Sequence, residues 1–244
     1  MLSGLRPALA VAKAAGLRAR PLAHDGDRVR PGDRILRLEG PARALLASER
    51  TVLNLIMHLS GVATSTAKAV TAAGTRARHG IVVAATRKTL PGLRDLEKAA
   101  VVHGGGDPHR RDLASSILVK SNHLALVPLE ETLRRITSRA RGGRPVIVEV
   151  SDFEDALRAA RGGADRLLLD NLRPAQVRAL LRRLRNAGLP PSLVIEVSGG
   201  IDQGNVRAYA RAGAHVASLG AITHSARALP FHLRVVPAQP GRRS

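Results

Sequence analysis

The residues with the means to do chemistry fall at the ends of short apolar runs. Thr86-Arg87-Lys88 follows Ile81–Ala85, Lys120 closes Ser116–Lys120, Glu149 stands one residue from the end of Val146–Val150, and Asp170 closes Arg166–Asp170. Ser198-Gly199-Gly200 follows Leu193–Val197, and Gly220-Ala221 follows His215–Leu219. The triple glycine Gly104-Gly105-Gly106 brings His109-Arg110 close to the second run. One side of this set is cationic: arginine forks bind carboxylates or phosphates through paired hydrogen bonds, and lysine acts as a point charge. The other side offers Glu149 and Asp170. One or two carboxylates are what magnesium commonly takes from a protein, with water and phosphate oxygens filling its octahedron. The turn at Ser198 precedes a helix expected to begin near Asp202, so bare N–H groups and a helix N-terminus offer a cradle for a phosphate monoester. Singly, each of these is an ordinary turn residue, and the triple glycine alone reads equally as a flexible connection. Their coincidence at successive run ends selects a site for a polyanion handled with a hard metal ion.

For these groups to meet, the runs must be strands sharing one rim. Helical spacing fills the intervals at Leu93–Val102, Leu129–Ala140, Phe153–Arg161, Pro174–Asn186 and Gln203–Ala212. Strand and helix in alternation imply parallel strands with right-handed crossovers, in an open doubly wound sheet or a barrel. No Gly-x-Gly-x-x-Gly fingerprint follows the first strand, and reactive groups at the C-terminal ends of strands are the barrel arrangement. The expectation is an incomplete parallel α/β barrel of about six strands, short of the closed eight. Ahead of it, residues 24–40 alternate turn signals with Ile35, Leu36 and Leu38 and read as small β-structure. Apolar residues from Leu45 to Leu59 then predict one or two helices, interrupted near Ser60-Gly61. The basic, proline-containing tail after Pro230 is expected to fray at its end.

Composition removes whole classes of function. With no cysteine there is neither a disulfide nor a thiolate nucleophile. No apolar run approaches a membrane span and no signal-peptide pattern opens the chain, so a cytoplasmic location without membrane attachment is expected. Lysine and arginine outnumber aspartate and glutamate 39 to 19, a formal charge of +20 that attracts polyanions. Yet two Phe, one Tyr and no Trp leave almost no stacking platform for nucleic acid. Arg134, Arg135, Arg139, Arg178, Arg182 and Arg183 are also spread along helices, which reads as a solvated basic surface without a dedicated nucleic-acid face. His58, His79, His103, His123 and His215 have no site context and read as structural or surface residues.

Seven blocks, ERTVLNLIMHLSGVAT (49–64), TRKTLPGLRDLEKAAVVHGGGDPHR (86–110), ILVKSNH (117–123), VIVEV (146–150), LLLDN (167–171), EVSGGI (196–201) and GAITHS (220–225), resemble quinolinate phosphoribosyltransferase in type and order. The resemblance implies transfer of a phosphoribosyl group from phosphoribosyl pyrophosphate to quinolinate with decarboxylation, giving nicotinate mononucleotide for NAD biosynthesis, with Mg2+ as cofactor. It implies a partial N-terminal α/β sandwich with connecting helices over residues 1–73, a barrel over 74–229 and a tail over 230–244, the family having several tens of residues ahead of the position matching Met1. It further implies a homodimer, or higher oligomer, with sites shared between subunits. Arg50 matches the arginine lent to the partner. Thr86, Arg87, Lys88, His109, Arg110 and Lys120 match the substrate cluster, and Glu149 and Asp170 the metal and ribose side. Ser198, Gly199, Gly200, Gly220 and Ala221 match the phosphate cradle, with His224 adjoining. Lys88, Lys120, Glu149 and Asp170 are the catalytic candidates. Two positions depart: Ala85 and Ser121 stand where the family often has aspartate. Two other readings attach to the same scaffold, a molybdenum-transport-associated homologue with a different substrate and an inactive basic interaction protein. Lys120 and the Thr-His-Ser block at 223–225 argue against the first, and the retained cationic and carboxylate rim residues against the second.

Overall fold

A computed structural model of the chain describes residues 1–74, 80–139, 142–190 and 192–237, with backbone alone at 137–139. His79, the Arg139 side chain and the end of the tail lie outside the described residues. The chain opens with α1 (Leu5–Ala14), then β1 (Arg18–Pro21) and β2 (Leu36–Glu39), which pair antiparallel. The small β-structure expected over 24–40 is thus confined to Leu36–Glu39 and uses an earlier partner. The turns between do other work: the Asp25 carboxylate accepts from the N–H groups of Leu5 and Arg6. It thereby satisfies a helix start whose own N-cap, Gly4, has no side chain. Leu2, Leu5 and Ala8 bury against Val52 and Ile56 of α2, making a separate small core.

Helix α2 runs unbroken from Ala42 to Ala73, against the expected interruption at Ser60-Gly61. Glycine there serves contact, because a Cβ at Gly61 would stand 2.4 Å from the Arg227 carbonyl oxygen. The segment after the barrel lies along α2, Leu229 donating to the Met57 carbonyl.

The remaining elements are β3 (Val82–Ala84), α3 (Arg94–His103), β4 (Ile117–Val119), α4 (Ser121–Leu124), α5 (Leu129–Arg139), β5 (Val146–Val150), α6 (Phe153–Arg161), β6 (Arg166–Asp170), α7 (Pro174–Asn186), β7 (Val194–Ser198), α8 (Val206–Ala212), β8 (Val216–Ser218) and α9 (Ala221–His224). The six later strands form one parallel sheet in the order β3-β8-β7-β6-β5-β4. Beside β3, Asp107 makes a parallel bridge with Ala84.

Period-two alternation sorts the side chains into two faces. Val83, Val119, Val148, Leu167, Leu169, Val197 and Ala217 pack in the main core with residues such as Val101, Leu133, Ala156 and Val177 of the helices. The opposite parity, joined by the register, carries Glu149 beside Leu168, Leu168 beside Glu196, and Asp170 beside Ser198. The main apolar core therefore lies in a layer between strands and helices, and the inner face mixes polar groups with Ile147, Leu168 and Val216.

Candidate active site

On the inner face, Glu196 is 2% exposed and gathers three donors. Arg166 Nη1 lies 2.7 Å from its Oε2, His109 Nε2 3.2 Å from the same oxygen, and Ser218 Oγ 2.5 Å from Oε1. With a carboxylate at that distance, Nε2 is the nitrogen that carries the proton and donates. Burial alone would raise the Glu196 carboxyl. The hydrogen bond and charge of His109, then the Ser218 hydroxyl and Arg166, hold it instead at about 2. Glu196 is thus an anion at neutral pH, and it fixes the imidazole ring.

His109 reaches this position through a strained turn, at φ 53, with its N–H bonded to Asp107 Oδ1 at 2.5 Å. The triple glycine ahead of it is packed, since a Cβ on Gly104 would meet the Ala63 carbonyl oxygen at 2.4 Å and one on Gly106 the Thr66 methyl at 2.6 Å. Close approach to α2, and not flexibility, is what these glycines supply. Burial and the neighbouring Arg87 lower the Arg110 pKa, with Glu196 opposing. Arg87 Nε is buried without a hydrogen-bond partner, an orphan donor of the kind an anionic ligand satisfies. Lys88 follows Thr86, whose Oγ1 accepts its N–H at 3.0 Å. Its carbonyl accepts from Thr223 Oγ1 at 2.8 Å, and its stem lies 3.3 Å from where a Gly220 Cβ would be. This brings Gly220, Ala221 and His224 to the same rim.

Across the rim, Lys120 Nζ stands 3.4 Å from Glu149 Oε2, and Ser121 Oγ donates to Glu149 Oε1 at 3.1 Å. Ser121 therefore supplies a hydroxyl where the family often has an acid, and Glu149 does the orienting of the lysine. Ala85, the other departure, is fully buried and donates its N–H to Asp107. The Lys120 N–H donates to His123 Nδ1 at 2.9 Å. His123 thus does have a site context, contrary to the expectation. His58 bonds Glu97, His103 bonds Ser3 and His215 accepts from Ile195, as structural histidines do.

Glu149, Asp170 and Ser121 line one pocket of about 430 Å³ with Leu124 and Asp155. Asp170 Oδ2 accepts from Asn171 Nδ2 at 2.7 Å. Among the described residues no three His, Cys, Asp or Glu side chains cluster as metal ligands. The donor set suits a hard cation that draws most of its coordination from water and substrate oxygens. Beyond Ser198, Gly199 and Gly200 both have positive φ, and α8 begins at Val206, later than the expected start near Asp202. The intervening turn is held by Asp202 Oδ1, which accepts from Gly204 and Asn205, and by Asn205 Nδ2 bonding the Gly200 carbonyl. The cradle is a side-chain-braced loop, one turn removed from the helix. Arg50 is the candidate not brought to the rim: it is exposed on α2, two turns before His58.

The model for the quinolinate phosphoribosyl transferase C-terminal domain matches residues 62–234, and that for its N-terminal domain matches residues 1–60. The chain belongs to the quinolinate phosphoribosyltransferase family. It is 43% identical over 212 residues to a probable nicotinate-nucleotide pyrophosphorylase (carboxylating) of Archaeoglobus fulgidus, covering 87% of this chain and 81% of that protein. It is 37% identical to the human nicotinate-nucleotide pyrophosphorylase (carboxylating), covering 86% of this chain and 70% of that one. The crystal structure of NadC from Streptococcus pyogenes superposes with a TM-score of 0.86 at 34% identity, over 96% of this chain and 81% of that chain. The α/β barrel expected from strand ends is thus the family's fold. Glu196 and Arg166 were absent from the residues expected of the site, although Glu196 shares the parity of Glu149 and Asp170.

Proposed function

We propose that the chain is a quinolinate phosphoribosyltransferase, converting quinolinate and phosphoribosyl pyrophosphate into nicotinate mononucleotide, pyrophosphate and carbon dioxide. The observation that carries this reading is the meeting of Arg87, His109, Arg110 and Lys120 with Glu149 and Asp170 on a single rim. Quinolinate is a dianion and its partner bears several more negative charges. Each cation at about 4 Å is worth up to about 4 kcal/mol in a partly screened site, so a handful matches the roughly 8–23 kcal/mol that enzymes remove from barriers.

In this reading Arg87 and Arg110 hold the two carboxylates and orient the pyridine nitrogen toward the ribose. The nitrogen–carbon bond forms as the carbon–oxygen bond to pyrophosphate breaks, the electron pair leaving with pyrophosphate. Glu149 and Asp170 would hold Mg2+, which when bound offsets charge on the leaving pyrophosphate. The new pyridinium then accepts the electron pair of the breaking carbon–carboxylate bond. Lys88 and Lys120 stabilise the resulting carbanion until it takes a proton. Ser198, Gly199, Gly200, Gly220 and Ala221 present backbone to the ribose phosphate, beside His224. Arg50 acts in the partner's site, making the active species a dimer or larger. No described helix is long and apolar enough to cross a membrane, and the reading adds a cytoplasmic location.

The test is product analysis with quinolinate, phosphoribosyl pyrophosphate and magnesium. Nicotinate mononucleotide and carbon dioxide in equal amounts are expected. Phosphoribosyl pyrophosphate left intact would refute the reading.

A further inference from the structure

Lys98 lies on the buried side of α3, 5% exposed, and donates a hydrogen bond to the Pro108 carbonyl, the residue before His109. No carboxylate lies within ion-pair distance of it among the described residues. The charged groups facing it are Arg94 on its own helix, Asp107 and Arg110 on the loop after α3, and Arg87 on the loop after β3. Asp95, also on α3, interacts with Lys98 at longer range but is itself engaged by Arg111. Three guanidinium groups against these two carboxylates leave an excess of positive charge, which disfavours a further cation and favours any anion brought near. Arg87 and Arg110 are also the two groups whose forks suit the substrate carboxylates.

Building on the proposed function, we propose that Lys98 is a positioning residue of the quinolinate site, holding the Pro108–Arg110 turn and taking up a proton when the dicarboxylate binds. The geometry supplies the first half, since the ammonium fixes the carbonyl from which the left-handed His109 turn departs. The second half follows from charge. Burial first, then Arg94, with Arg110 and Arg87 adding and Asp107 opposing, bring the lysine to about 8 in the free protein. A dianion seated on Arg87 and Arg110 offsets their repulsion and adds its own attraction, so Lys98 titrates higher in the complex than in the free protein. Binding near pH 8 then takes up at most about half a proton, and affinity falls as pH rises above it, by no more than about tenfold per pH unit.

The experiment is calorimetry of quinolinate binding to the whole protein in two buffers of different ionisation enthalpy, from neutral pH to well above the Lys98 value. Proton uptake that grows through this range is expected of the unsubstituted chain. Lys98→Met should lose that uptake and bind weakly even at neutral pH. Lys98→Arg should regain affinity but show no uptake, because guanidinium stays charged. A lysine with only a structural role would weaken binding when replaced, yet the parent would show no uptake. Binding without uptake in the parent, or uptake surviving in Lys98→Met, overturns the Lys98 role alone. Absence of any quinolinate binding overturns the functional reading and this role together. Should Lys98→Met fail to fold, Lys98→Arg decides: uptake lost there supports the Lys98 role, and uptake retained overturns it.

Discussion

Replacing Glu196 with glutamine keeps the shape of the inner-face network and removes its charge. The carboxyl sits at about 2 in the folded protein against an ordinary 4.5. That difference corresponds to about 3 kcal/mol of native-state stabilisation at neutral pH, each unit being about 1.4 kcal/mol. Because the folded value is depressed, the contribution is complete above about pH 4.5 and is lost as pH falls toward about 2. Other carboxylates titrate over the same span, but they do so in both proteins, and the difference between the two isolates Glu196. Urea unfolding should therefore give a stability gap of about 3 kcal/mol near neutral pH, narrowing to about 2 kcal/mol at about pH 3.5. The same substitution should raise KM for quinolinate, since His109 and Arg166 lose their common anchor. Equal stabilities, or a gap that does not narrow with acid, would refute the picture of a buried anion holding His109 and Arg166.

Arg87→Ala and Arg110→Ala should each weaken quinolinate binding by about 10- to 100-fold, the worth of a hydrogen-bonded charge, with the far-ultraviolet spectrum unchanged; unchanged affinity by calorimetry would remove them from the pocket. Glu149→Gln and Asp170→Asn should raise the magnesium concentration needed for half-maximal turnover, because an amide is a poorer ligand for a hard cation. An identical magnesium titration in both variants would exclude the metal role. Arg50→Ala and Lys120→Ala, each nearly inactive, should recover activity on mixing up to about a quarter of the parent, because a two-fold dimer of one of each leaves one site whole. No recovery, once mass spectrometry shows exchanged subunits, would place Arg50 outside the partner's site.

The elements legible in the sequence were those whose local signals agree with their surroundings. The limits of β5, β6, α6 and α7 are as expected, and α6 and α7 begin where Asp152 caps and Pro174 occupies the first turn. Where a local signal competes with tertiary contact, contact wins: Ser60-Gly61 reads as a stop, yet Gly61 is there to admit the Arg227 carbonyl. The start of α8 was missed because Asp202 and Asn205 spend their side chains on a turn ahead of it. The rim was legible because reactive groups stood at run ends. Glu196, Arg166 and Lys98 were not, being charges set within a strand, at a strand's start and on a helix's buried side. Parity would have exposed Glu196, two residues before Ser198 on the same strand face. For Lys98 the sequence holds no such signal, since only the packing of α3 buries it. Arg50 was reached through family resemblance alone.

The unbroken helix α2 acts as a ruler. Its 32 residues span about 48 Å, and Arg50 stands 11 residues before Gly61, about 16 Å along the axis and only about 20° around it. Gly61 is pinned by the returning chain at Arg227, so the height and heading of Arg50 are fixed from that point. One residue inserted or deleted between them would swing Arg50 by about 100° around the axis and shift it by about 1.5 Å, and no loop intervenes to absorb the error. Chain length between Arg50 and Gly61 therefore sets where Arg50 points, independently of which residues fill the interval.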